Sequence, residues 1–295
     1  MDAKKKAQSR FHEDAVAMLD RFRLMDDDFF SETLDGKIDA IQFILDTVLG
    51  RNDLKVIETK TQREYKSATK RSIRLDIWAK DVYGRVADIE IQRADKGTGA
   101  KRARIHSSII DRELLEKGQK FEEVAETFVI FITANDKYNA GCPLYHVDRR
   151  IQELGYREFA DEAHIVYVNG AFQDMSHPVG RLMHDFWCTN ADDMINDVLA
   201  KEVRYMKETE EGRASMCEMM EKMLKKINEA GKAEGRAEGR AEGKAEGITE
   251  GKQIQLYELV RKKIIPSSIA AAEAYQTEAE FKAGMDAYYA KYASA

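Results

Sequence analysis

The 295-residue chain carries 47 Lys and Arg against 53 Asp and Glu, a formal net charge of −6, with 43% hydrophobic residues. An acidic total is not the basic excess of a dedicated nucleic-acid binder, although a local basic patch or bound divalent cations neutralise phosphates whatever the total. No apolar run reaches the ~18 residues of a membrane span, and a chain this long buries a real core, with room for one main domain and an appendage. The start MDAKKKAQSR lacks the apolar segment of a signal peptide. Cys142, Cys188 and Cys217 are scattered and form no C-x-x-C. A cytoplasmic protein is therefore expected.

From Asp26 to Leu49 an acidic start leads into KIDAIQFILDTVL, where Ile38, Ile41, Ile44, Leu45 and Val48 recur at helical spacing before Gly50. This predicts an amphipathic helix. LKVIETK around Val56 reads as a short strand, followed by a polar stretch from Thr61 to Lys70. Between Arg71 and Gln92, RSIRLDIWAKDVYGRVADIEIQ alternates as two strands about Tyr83 and Gly84. Ile73, Leu75, Ile77 and Ala79 then face one way and Arg74, Asp76, Trp78 and Lys80 the other. In the second strand Ala87, Ile89 and Ile91 form the apolar row, and Val86, Asp88, Glu90 and Gln92 the mostly polar one. Antiparallel pairing sets Asp76 opposite Glu90, within the ~5 Å of directly opposed residues. Asp88, nearer the turn, reads as a solvated charge. A register slip of one residue would bury Asp76 and expose isoleucines, which guards the pairing.

Next, GTGAKRARIHSSIIDRELLEKG predicts a helix that packs Ile105, Ile109, Leu114 and Leu115 inward and stops at Gly118. Its other side carries Lys101, Arg104, Ser108 and Arg112. That side fits an ordinary charged helix face or a phosphate-contacting one, helped by the helix N-terminus at Gly97 and Gly99, with Lys101, Arg102 and Arg104 as the DNA-contact candidates. The apolar run ETFVIFITA, Glu126 to Ala134, predicts a buried central strand, and HIVYVNG, His164 to Gly170, another. Helix, three strands, helix, strand, strand implies a mixed sheet flanked by helices.

Beyond His177 the chain turns helical and rich in methionine, a residue suited to adaptable packing. His184 and Cys188 stand four apart, but two ligands without a flanking cluster read as packing rather than a zinc site. From Gly231 a tract GKAEGRAEGRAEGKAEGITEGK repeats glycine every fourth residue. On a helix this stacks like charges at i, i+4 and adds about 1 kcal/mol of penalty per glycine. Those costs favour a flexible linker; the alternative is a helix supported by a partner at its Gly/Ala face. The tail recovers helical patterning in IQLYELVRKKII, then in two short helices after Pro266, the second around Phe281.

Two converging carboxylates suit Mg²⁺, which takes hard oxygen ligands and keeps sites for water and substrate phosphate. Asp76 and Glu90 offer that set, the carbonyl of Ile91 can add a ligand, and the Gln92 amide can orient a water. By themselves these residues fit a solvated hairpin face better, since carboxylates on the outer face of an amphipathic hairpin usually just meet water.

Asp76 followed by Glu90-Ile91-Gln92 on the next strand resembles the D…(D/E)-x-K motif of the PD-(D/E)XK nuclease superfamily. More closely, the chain resembles the recombination-promoting nuclease and transposase family, in which glutamine commonly replaces the motif lysine. DDDFF before the first helix, the KRARIHSSIID helix, the FVIFI strand, the CPLYHVDRR segment from Cys142 and the glycine-glutamate repeat carry the likeness through about Lys252. The proline that precedes the first aspartate in the superfamily is Leu75 here. The resemblance implies a restriction-endonuclease-like α/β fold with a C-terminal helical extension, and a Mg²⁺-dependent DNA endonuclease linked to recombination or mobile elements. It also implies catalytic Asp76, Glu90 and Gln92, and metal ligands Asp76, Glu90 and Ile91. Because Gln92 carries no charge, the alternative is a weak or inactive nuclease fold that binds nucleic acid or serves assembly. The expected organisation is a nuclease-like domain over 1–190, a helical extension over 191–230, the repeat linker over 231–252 and a helical tail over 253–295. A homo-oligomer would form through the C-terminal helical region.

Overall fold

A computed structural model describes residues 20–65, 72–93 and 99–292. The first residues MDAKKKAQSR, the polar stretch beyond Tyr65, Arg71 and Gly97 lie outside them. The chain divides into two compact units, Met1–Lys222 and Met223–Ala295.

In the first unit the expected opening helix is two helices, α1 (Asp27–Thr33) and α2 (Ile38–Leu49). The break falls at Gly36, whose φ of 68° is a left-handed conformation that ends a helix. Ile41, Ile44, Leu45 and Val48 are fully buried, while Ile38, at the first turn, stays partly exposed. The strands are β1 (Val56–Tyr65), β2 (Ile73–Asp81), β3 (Val86–Gln92), β4 (Thr127–Thr133), β5 (Leu144–Val147), β6 (Arg150–Ile151), β7 (Arg157–Glu158) and β8 (Ala163–Asn169). Helix α3 (Ala100–Leu114) crosses from β3 toward β4. The main sheet runs β1-β2-β3-β4-β8-β5. Its first three strands form an antiparallel meander, β3, β4 and β8 run parallel, and β5 returns antiparallel along β8. This is the mixed sheet flanked by helices that the element order implies, consistent with a restriction-endonuclease-like fold. Strand β5 and the β6–β7 ribbon were not expected; their sequences are short and half exposed.

Alternation along β4 divides the core. Phe128, Ile130 and Ile132 join Ile77, Ile89 and Ile91 in a large apolar cluster with α1 and α2. Helices α4 (Pro178–Trp187) and α5 (Asp197–Glu208) contribute Leu182, Met183, Phe186, Leu199 and Met206 to that cluster. Burying each such side chain stabilises the fold by about 1.5–3 kcal/mol. Val129 and Phe131 point the other way, into a smaller cluster with Trp78, Val86, Tyr167 and α3 residues Ala103 and Ile110. Met216, Met219 and Met220, at the start of α6 (Glu210–Arg261), also pack in the large cluster, as adaptable core methionines should.

The repeat tract 231–252 lies within α6, so of the two forms its sequence allows, the structure has the helix. At Gly231, Gly235, Gly239, Gly247 and Gly251, apart from the helix's own nearby backbone, no atom of the described residues lies within 4 Å of where a Cβ would sit. In the second unit the end of α6 packs Leu256 and Tyr257 against Ala270 and Ala271 of α7 (Ser267–Glu273) and Phe281 of α8 (Glu278–Tyr292). Gly284 gives the Tyr257 hydroxyl its room: a Cβ there would stand 2.5 Å from it, and the tyrosine would have to shift. Among the described residues no helix is long and apolar enough to cross a membrane.

Candidate active site

The β2–β3 hairpin closes as its sequence predicts. Lys80 pairs with Val86 and Ile77 with Ile89, which centres the turn on Tyr83, and Gly84 takes a φ of 84°. Beyond Ile77 the two strands part. Strand β2 continues along β1 to Ile73, and β3 continues along β4 to Gln92, so the sheet forks between them. Asp76 and Glu90 bridge the fork. The Asp76 N–H donates to Glu90 Oε1 at 3.0 Å, and the Ile91 N–H donates to Asp76 Oδ2 at 3.1 Å. Side-chain oxygens thus do the work of ladder carbonyls at the point where the ladder stops. The β1 residue expected opposite Asp76, Gln62, has a left-handed φ of 49°. The alternation of β2 breaks here as well: Leu75 lies with Trp78 in the smaller cluster, whereas Ile77 and Ala79 lie in the larger one. The sequence places Leu75 with Ile77; the alternation breaks at Asp76, just past the point where the ladder to β3 stops.

The polar row of β3 is buried rather than solvated. Asp76 is 4% exposed, and Asp88 and Glu90 are each 0% exposed, because α3 covers them. The expectation that Asp88 is a solvated charge is therefore corrected. The inward face of α3 also differs from the expected one: Ala103, His106, Ser107 and Ile110 are buried, while Ile105 is 44% exposed. A helix lying over carboxylates turns inward residues that can hydrogen-bond them, here His106 and Ser107, and Ile105 rotates outward. The helix ends at Leu114, and Gly118 lies in the following turn with a φ of 91°.

Burial is the main force raising all three carboxyls above the ordinary carboxylate range. The charge of Glu90, then of Asp27, pushes Asp76 further up, and the Ile91 N–H and Arg74 pull it back. Asp76 raises Asp88, and Asp88 raises Glu90. Two cationic or polar groups of α3 answer them. Arg102 Nη2 reaches Glu90 Oε2 at 2.7 Å, and His106 Nδ1 lies 2.8 Å from Asp88 Oδ2. Arg102 Nε donates to His106 Nε2 at 3.3 Å. Since a guanidinium only donates, Nε2 is the acceptor, and the ring hydrogen sits on Nδ1, directed at Asp88. Burial, seconded by the Arg102 charge and opposed by Glu90, lowers the His106 pKa, in keeping with a neutral ring. Phe131 backs both side chains, with ring or cation centres within 5.8 Å.

A cleft of about 810 Å³ opens on this arrangement, lined among others by Asp27, Arg74, Asp76, Gln92, Arg102 and His106. Asp76 and Gln92 thus share a cleft with the Glu90 partner Arg102. Ile91 contributes only its backbone, its side chain being in the core. Lys101 and Arg104 are exposed on α3, whereas Arg102 is turned inward. Gly99 is the N-cap of that helix. Sequence reasoning missed His106, Asp88 as a buried group, and Asp27, which ion-pairs with Arg74 at 3.8 Å. A D-x-E spacing on one strand face, facing a helical histidine, was the available signal for the first two.

The site fits a divalent cation. Its donors are hard oxygens, and Asp88 Oδ1 is buried with no hydrogen-bond partner among the described residues. Asp88 and Glu90 also lie close enough to share one ion, with both nitrogens of the neighbouring His106 taken up by its own hydrogen bonds. His184, Asp185 and Cys188 form a second close group. There, however, the Asp185 oxygens are engaged by the Ile195 N–H and by the N–H and side-chain amide of Asn196, so the cluster reads as a loop anchor.

The family model of PD-(D/E)XK nuclease family transposases matches residues 29–242. No curated protein and no solved structure matches the chain.

Proposed function

The chain belongs to the PD-(D/E)XK nuclease family of transposases, and from that premise we propose that it is a Mg²⁺-dependent DNA endonuclease working in recombination or element mobility. The observation that carries the reading is the reciprocal clasp of Asp76 and Glu90 at the fork, opening on a cleft beside Gln92.

Asp76, Glu90 and the Ile91 carbonyl would hold the cation. In a strand the N–H and C=O of one residue point to the same side, so the Ile91 carbonyl faces the gap into which its N–H donates to Asp76. When bound, a divalent cation lowers the pKa of water and neutralises charge on the phosphoryl oxygens. Gln92, half-buried at the cleft, orients the attacking water through its amide. Water oxygen bonds to phosphorus as the bond to the leaving oxygen breaks. The products are a phosphate monoester and a hydroxyl, with the water's proton reaching the leaving oxygen through solvent. Lys101 and Arg104, exposed on α3, hold the DNA backbone by charge. The free cysteines Cys142, Cys188 and Cys217 suit a cytoplasmic setting. Self-association through the C-terminal helices is part of the same proposal, supported by the open glycine positions of α6. Sedimentation of the full chain and of a truncated one tests it.

The deciding assay is nicking of supercoiled plasmid with Mg²⁺, Mn²⁺, Ca²⁺ or EDTA. Cleavage with Mg²⁺ or Mn²⁺ that disappears in EDTA and in Glu90→Ala is expected. Equal cleavage by wild type and Glu90→Ala would defeat the reading. DNA binding without cleavage under every condition would favour the binding or assembly module, which the uncharged Gln92 supports.

A further inference from the structure

We propose that Arg102 is the cation of the reaction centre, carried in from α3 and aimed by the buried Asp88–His106 pair. This rests on the nuclease reading above and deepens it.

Attack on a phosphodiester builds negative charge on the phosphoryl oxygens, here in a cleft that already contains buried carboxylates. The strand position beside Glu90 offers only an amide, Gln92. The neighbouring helix supplies the missing charge: Arg102 Nη2 stands 2.7 Å from Glu90 Oε2. Its orientation is fixed from behind. Arg102 Nε donates to His106 Nε2, and His106 Nδ1 donates to Asp88 Oδ2, so one buried chain runs from β3 through α3 and back to β3. That chain gives a role to His106 and Asp88, polar residues 1% and 0% exposed that the water-positioning chemistry leaves unused.

Arg102 itself lines the cleft, with a side chain 36% exposed, so it meets both the buried pair and an incoming substrate. With Nε on His106 and Nη2 on Glu90, the Nη1 donors, which meet no acceptor among the described residues, remain for a phosphoryl oxygen, in the fork geometry that suits phosphate. The guanidinium keeps its protons throughout, so Arg102 stabilises charge and transfers none. Arg74 also lines the cleft, but it pairs loosely with Asp27 at 3.8 Å and has no such support behind it among the described residues. In this scheme Arg102 is catalytic, and His106 and Asp88 are positioning residues.

The test combines cleavage, DNA affinity and the state of the His106 ring, all in the full-length protein. Single-turnover plasmid nicking with Mg²⁺ should slow about 10²-fold in Arg102→Ala, while DNA affinity in Ca²⁺ changes only a few-fold. Arg102→Lys should keep more activity than Arg102→Ala. Adding Gln92→Lys should recover part of the rate in both Arg102→Ala and His106→Ala, a rescue that a purely structural histidine would not allow. Without any metal, ¹⁵N NMR should find His106 protonated on Nδ1 in wild type, with the Nε2 resonance shifted in Arg102→Ala. Several results would overturn the proposal: wild-type cleavage by Arg102→Ala, a rate loss matched by lost DNA affinity, recovery by neither lysine substitution, or a His106 proton on Nε2. Asp76→Ala run in parallel separates the failures. If wild type cuts no faster than Asp76→Ala, the nuclease reading falls and this proposal with it. If wild type cuts and Arg102→Ala cuts equally, only the role of Arg102 falls.

Discussion

The two ends of the β2–β3 hairpin both bury aspartate, yet they treat it in opposite ways. At the turn, Asp81 is 2% exposed and is well supplied: its Oδ1 accepts the N–H groups of Tyr83 and Arg85, and its Oδ2 accepts Arg85 Nε at 2.6 Å. At the fork, Asp76, Asp88 and Glu90 crowd together, push one another's pKa upward, and leave Asp88 Oδ1 without a partner among the described residues. A buried charge with all its donors fixes a turn. Buried charges short of donors are held in readiness for something that arrives, at a cost to the resting fold.

The largest effect that would sharpen this contrast is on catalysis. Asp76→Asn should reduce plasmid cleavage by about 10³-fold, the scale of losing a group at the reaction centre, while raising the melting temperature of the metal-free protein at alkaline pH, above the raised Asp76 pKa, where one crowded charge is gone. A melting temperature that falls would break the contrast. Asp81→Ala should do the reverse. It takes the acceptor from the Tyr83 and Arg85 N–H groups, Arg85 keeping Asp53 and Glu126, and should destabilise the fold by about 2 kcal/mol in urea titrations, with cleavage per folded molecule unchanged.

A third prediction concerns pH. The carboxyls at the fork have folded-state pKa values above their unfolded ones, so over that interval the folded chain holds more protons than the unfolded one. Their stabilisation is complete below the ordinary carboxylate range and is lost as pH rises through the raised values, with a slope of about 1.4 kcal/mol per pH unit for each extra proton. Denaturation in EDTA across a pH series should show this fall, and Mn²⁺ should flatten it. Stability that climbs with pH would contradict the crowding at the fork. The smallest effects belong to the outer face of α3: Lys101→Ala and Arg104→Ala should each weaken DNA binding a few-fold and lower the salt slope by about 1, with the rate at saturating DNA unaffected.

Much of this arrangement is legible in the sequence, and the reason is period. ADIEIQ alternates without interruption, so the register that opposes Asp76 to Glu90 follows once the turn at Tyr83 and Gly84 is set. FVIFI, apolar at every position, identifies the central strand because both its faces are covered. The period fails where polar contacts decide. Ile105 and Ile109 suggest the inward face of α3, but the surface beneath is charged, and the helix presents His106 and Ser107 to it instead. Burial of Asp88 is equally hidden, since an aspartate on an alternating strand looks solvated until a helix is known to lie over it. In the repeat tract, local propensity weighs against a helix that the structure nonetheless has, a case of intrinsic preference being overridden.

The clasp at the fork also bears on tolerance to change. Asp76 and Glu90 each spend one oxygen on the backbone amide of the opposing strand, so the gap between the strands is gauged by the reach of two side chains. Asp76→Glu and Glu90→Asp each keep the charge and alter that reach by one methylene. Either swap would reset the width of the opening as well as the position of its oxygens, so at these two positions side-chain length is as constrained as charge.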